Sequence, residues 1–127
     1  MNHITEIIIL TFLAITFLQS GFDKIADWKG NVEWLKSHFA ETILKKRVPF
    51  SVGLILVLEM IAGILALIGI LSILINQNTE IALLTGVISC ITLLFLLLGQ
   101  RIAKDYDGAR TIVIYFIPAL FLVYILQ

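Results

Sequence analysis

Residues Pro49 to Ile75 read PFSVGLILVLEMIAGILALIGILSILI, 27 positions that carry a single charge, Glu59. About 20 mostly apolar residues suffice to cross the roughly 30 Å hydrocarbon core of a bilayer, so this run is long enough to span it. From Phe50 onward it holds seventeen Leu, Ile, Val and Phe residues, which return roughly 5 to 10 kcal/mol on insertion scales against about 3 kcal/mol for one central charge. The segment inserts in spite of Glu59, and that carboxyl becomes the residue to explain. It stands about 15 Å along the helix from Pro49, at roughly 1.5 Å per residue, well inside the apolar zone.

The rest of the chain agrees with this reading. Of 127 residues, 60% are hydrophobic and 14% charged, whereas soluble domains run at about 45 to 50% apolar and about 25% charged. Too few polar side chains exist to cover a water-soluble globule of this size. Three further stretches have span character: Ile4 to Phe22, Ile81 to Gly99, and a shorter one over 110–126 that contains Pro118. A proline ring removes a backbone hydrogen bond, so a bend is expected there. The fold class is therefore all-α integral membrane, a single domain built as a four-transmembrane-helix bundle with spans near 4–22, 49–75, 81–99 and 110–126. The lipid bilayer is its first partner.

Charge placement orients the bundle. All nine basic residues fall in two connections, Lys24, Lys29, Lys36, Lys45, Lys46 and Arg47 after the first span, and Arg101, Lys104 and Arg110 after the third. The positive-inside rule puts both in the cytoplasm and both termini outside. Residues 1 to 6 contain no Lys or Arg, which disfavours a signal peptide. Nine acidic residues balance the nine basic ones, so no net charge recommends a nucleic acid partner. Cys90 lacks a second thiol, and His3 and His38 lack metal-ligand spacing, so neither a thiol-disulfide motif nor a metal site is expected.

Between the first two spans, Ile25, Trp28, Val32, Leu35, Phe39 and Ile43 recur at spacings of three and four. That periodicity predicts an amphipathic helix over about 31–45, lying in the membrane interface and separated from span one by a break at Gly30 and Asn31. Between spans three and four, Asp107 is placed to cap the last helix.

Glu59 shares an arc of about 120° with Ala62, Gly63, Ala66 and Gly69, and small residues on one stripe let another helix approach closely. Its carboxyl is therefore expected to point into the bundle. Span one offers a matching face of Thr16, Ser20, Lys24 and Asp27, with Gln19 beside it and Gly21 within, and span three offers Thr85, Ser89 and Thr92. Lys24 and Glu59 belong to the same half of the membrane, so Lys24 is expected to turn inward and pair with Glu59, directly or through Ser20 and Gln19. A protonated Glu59 that only glues helices together and a ligand site both fit this pattern.

The run Phe17-Leu18-Gln19-Ser20-Gly21-Phe22-Asp23-Lys24 resembles the signature that ends the first helix in the DoxX family of small four-helix membrane proteins. Leu58-Glu59-Met60-Ile61-Ala62-Gly63 and Gly69 are similar to that family's glutamate followed by spaced glycines. The resemblance implies a bacterial inner-membrane protein and a subunit of a quinone-linked redox complex, working with a membrane or cytoplasmic redox partner. The family's polar cluster would fall on Ser20, Gly21, Lys24 and Glu59, and with Gln19 and Gly63, which the helix faces place beside it, these are the candidate ligand-binding residues. Quinone is then the ligand to expect, with its electrons supplied by a cofactor on the partner, since the chain shows no cofactor motif or catalytic residue of its own. Two other readings are weighed: a non-catalytic assembly subunit, in which the small-residue stripes serve a partner or a second copy of the chain, and a small proton-coupled exporter.

Overall fold

The computed structural model describes residues 3–42 and 46–127, and among these every regular element is a helix. In chain order they are α1 (Ile4–Ala26), α2 (Trp28–His38), α3 (Val48–Asn76), α4 (Glu80–Ile102) and α5 (Tyr106–Leu126). α1, α3, α4 and α5 are each long and apolar enough to cross a membrane. At about 1.5 Å per residue, α3 extends roughly 43 Å, more than the apolar core alone requires, so it either tilts or projects from the membrane.

Local chemistry sets where these helices begin and end. α3 starts with Pro49 in its first turn, where a missing N–H costs nothing. It stops at Gln77, which takes the left-handed conformation (φ 54°), while the N–H groups of Gln77 and Asn78 turn back to the carbonyls of Ile73 and Ser72. The Asn78 side chain then accepts the Glu80 N–H at 2.8 Å, and α4 begins at once. α5 runs unbroken through Pro118 and starts earlier than the hydrophobic run suggests, at Tyr106. The cap of α5 is Asp105, whose carboxylate accepts the Gly108 N–H at 2.9 Å. This corrects the assignment to Asp107, which lies within the first turn, exposed, 3.1 Å from Arg110.

The connection after α1 also differs from expectation. The break falls at Asp27 (φ −135°, ψ 57°), before Gly30 and Asn31, both of which are inside α2. Asp27 accepts the Gly30 N–H, and the Asn31 amide donates to the carbonyls of Asp23 and Asp27. These side chains tie the end of α1 to the start of α2. α2 ends at His38, so Ala40 to Thr42 are not helical; residues 43–45, which complete the expected helix over 31–45 and include its periodic position Ile43, lie outside the described residues.

Packing is sequential around the bundle, α1 on α3, α3 on α4 and α4 on α5, with a sparser seam between α1 and α5. Leu10, Leu13 and Phe17 of α1 meet Ala62, Ala66 and Ile73 of α3, Ala82 and Leu93 of α4, and Ala119 and Leu122 of α5 in one core. The core is narrow because α3 faces it with small residues. A Cβ added to Gly63 would stand 2.7 Å from the Leu18 side chain, and one on Gly69 would stand 3.4 Å from the backbone of Ala82. Large apolar side chains such as Ile8, Phe22, Val57, Leu98 and Ile117 are left on the outside, as expected of helices whose outer faces meet lipid rather than water.

Candidate functional site

Glu59 is 2% exposed, and its stripe partners Ala62, Gly63, Ala66 and Gly69 are all buried with it. The carboxyl therefore faces the protein. Across from it, Lys24 in the last turn of α1 brings its ammonium to 2.8 Å from Glu59 Oε1. The same ammonium donates to Ser20 Oγ at 2.7 Å, one helical turn back along α1. Its approach to Oε1 lies off the line a hydrogen bond requires, and that oxygen has no aligned donor among the described residues. The contact is thus first of all a neutralisation of charge, in a place where an unpaired carboxylate would be expensive.

Three of the residues expected at the site, Lys24, Ser20 and Glu59, come together. The other three do not. Gln19 is exposed on the outer face of α1, beside a shallow apolar groove bordered by Phe22 and Leu67, because one residue along a helix rotates a side chain by about 100°. Gly21 and Gly63 are buried contacts between helices: a Cβ on Gly21 would stand 2.5 Å from the Met60 sulfur. They allow α1 and α3 to approach and so bring Lys24 to Glu59, without facing any open space themselves.

The buried hydroxyls of α4 are also structural. Thr85 and Thr92 donate to the carbonyls of Ile81 and Ile88, each at 2.8 Å, so their bonds are spent on their own helix. Ser89 is fully buried with its hydroxyl unpartnered among the described residues. The expected polar lining from span three is therefore a packed helix face.

Beside Lys24 opens a cleft of about 230 Å³ that sequence reasoning does not locate. Leu35 of α2 and Phe39 just after it wall it on one side, Val48, Val52 and Ile55 of α3 and Phe95 of α4 on the others. Its polar side chains are Lys24, Ser51 and Gln100. The Phe39 ring packs toward Gly99 of α4, 3.8 Å from where a Cβ would be, an ordinary van der Waals distance. An apolar cleft with a few convergent polar groups is the ordinary form of a small-molecule site.

Next to Gln100, one of the lining residues, stands His38 at the end of α2. His38 Nε2 faces Gln100 Oε1 at 3.4 Å and Asp105 Oδ2 at 3.6 Å. Two acceptors at one ring nitrogen favour the tautomer that carries its proton there. The His38 ring stacks on Trp34, with centroids 4.8 Å apart. Asp105 thus ties α2 to the start of α5 while capping it, and α2 becomes a wall of the cleft. The only cue in the sequence is that His38 is one turn beyond Leu35, on a face otherwise apolar.

Comparison of the chain with known protein families, with curated proteins and with solved structures finds no match.

Proposed function

We propose that this chain is a DoxX-like inner-membrane protein, a subunit of a redox complex that binds a small amphipathic ligand such as a quinone in the cleft beside Lys24. The observation that carries the proposal is the Lys24–Glu59 pair, an intramembrane charge pair with an apolar cleft at its ammonium. Ionisable groups held at membrane depth mark functional sites by default. A quinone needs hydrogen-bond donors for its carbonyls near the membrane boundary and apolar walls for its ring. Lys24, Ser51 and Gln100 supply the first, and Phe39, Val52 and Phe95 the second. The electrons belong to a cofactor on a partner protein, membrane-bound or cytoplasmic.

In this reading the basic end of the bundle faces the cytoplasm and both termini face outward. α2 lies in the interface with Val32 buried, Leu35 and Phe39 turned to the cleft, and Trp34 at the headgroup level. The small residues Ala62, Gly63, Ala66 and Gly69 of α3 are buried within the chain, which supports the reading in which they bring helices together around the site.

The test is binding. Trp28 and Trp34, the two tryptophans, both belong to α2, and quinones quench indole fluorescence. Titration of the protein in phosphatidylcholine nanodiscs with a short-chain quinone should quench saturably. Val52→Phe, which fills the cleft, should remove the saturable component. Quenching that only follows the quinone content of the bilayer, unchanged by Val52→Phe, would dispose of the site.

A further inference from the structure

We infer that Glu59 makes this cleft selective for uncharged ligands that bear a carbonyl or hydroxyl oxygen, and that it does so by cancelling the charge of Lys24 while leaving one ammonium donor free. The inference rests on the binding cleft proposed above and adds the charge class of its occupant. An ammonium has three N–H donors and no acceptor. Ser20 Oγ accepts one at 2.7 Å, Glu59 Oε1 stands 2.8 Å from the ammonium off a hydrogen-bond line and occupies a second direction as an ion-pair partner, and Lys24 lines the cleft. The third donor is available to a ligand oxygen.

Charge decides which oxygen. Among the described residues Lys24 is the charged one that lines the cleft, and Glu59 stands behind it, so the pair sums to zero. A neutral carbonyl takes the free N–H without altering that sum. A carboxylate, sulfonate or phosphate would leave two negative groups on one ammonium, a net charge in apolar surroundings, and could gain strength only by displacing Glu59. Buried in helix packing at 3% side-chain exposure, Glu59 has no route to water once displaced. A cationic ligand would face the ammonium itself. Ser51 and Gln100 add further polar contacts of neutral kind. Glu59 therefore acts through Lys24 as a specificity-determining residue, without touching the ligand.

The test is displacement of the quenching quinone from nanodiscs by two probes of equal carbon number, methyl octyl ketone and decanesulfonate. In the wild-type protein the ketone should displace the quinone at a concentration about tenfold or more below the sulfonate, a single uncompensated charge being worth at least that ratio. Glu59→Gln keeps the side-chain shape and leaves Lys24 with a net positive charge, so the preference should narrow or invert toward the sulfonate. Lys24→Met/Glu59→Gln removes both charges and the donor, and should lose the quinone signal and any sulfonate gain together. If Glu59→Gln does not fold, the wild-type ratio and the double variant still decide. Equal displacement by both probes in the wild type, or an unchanged ratio in Glu59→Gln, would overturn the selectivity while leaving the cleft a quinone site. Absence of saturable quenching in the wild type would remove the site, and the selectivity with it.

Discussion

Two ion pairs of nearly equal length stand in very different surroundings. Lys24 and Glu59 are 2.8 Å apart with side chains 18% and 3% exposed, whereas Arg110 and Asp107 are 3.1 Å apart at 74% and 90%. The exposed pair links neighbouring turns of one helix and is screened by water and salt, so it contributes little. The buried pair joins α1 to α3 in a medium that neither ion could occupy alone. Distance says little about an ion pair; what each partner becomes when the other is removed says much more.

The largest effect is therefore expected from Lys24→Met. It strands Glu59 in the core without access to water, and should lower unfolding stability in detergent by about 3 to 5 kcal/mol. Glu59→Gln should cost less, about 1 to 3 kcal/mol, because the freed lysine keeps its bond to Ser20 and is long enough to turn toward the interface. Equal losses from the two would blunt the comparison. Replacing both with leucine should restore stability to within about 1 kcal/mol of wild type or better, since buried pairs are commonly matched by packed apolar residues. Ligand binding should then stay lost, which separates glue from site.

Next in size is Asp105→Ala. It removes the cap of α5 and the acceptor facing His38, so about 1 to 2 kcal/mol should be lost in thermal unfolding. Asp107→Ala should fall within about 0.5 kcal/mol of wild type, with an effect that vanishes at high salt. A larger loss at Asp107 than at Asp105 would reverse the capping assignment.

The legible parts of this structure are those governed by period and composition. Four helices follow from apolar run lengths, and the inward turn of Glu59 follows from the small residues one and two turns beyond it. Its pairing with Lys24 follows because both residues are fixed near the same membrane boundary. Gly21 and Gly63 fit a ligand cluster by sequence because glycine looks alike whether it admits a ligand or a helix; here it admits Met60 and Leu18. Gln19 fails for an angular reason, being a single residue off the face.

The cleft was not legible. Ser51 reads as part of a first helical turn and Gln100 as the polar end of a span, and only the convergence of α1, α2, α3 and α4 joins them. The α2 boundary was missed for a local reason: Asp27 stops α1 by accepting the Gly30 N–H, so the acid, and not the glycine, marks the break. Asp105 and Asp107 compete for one role in the run Asp105-Tyr106-Asp107-Gly108, and the structure gives it to Asp105, three residues before the Gly108 N–H that its carboxylate accepts.

Central to the proposal is the pairing of the Glu59 carboxyl with the Lys24 ammonium, 2.8 Å apart inside the bundle, as a carboxylate with a cation. Infrared difference spectroscopy between the wild-type protein and Glu59→Gln in lipid, at neutral pH, reads that state directly. The account predicts loss of a carboxylate stretching band upon substitution, and the same band missing from Lys24→Met. Loss of a protonated carboxyl band instead would contradict it, and would leave Glu59 a hydrogen-bonding residue between helices with no charge to cancel.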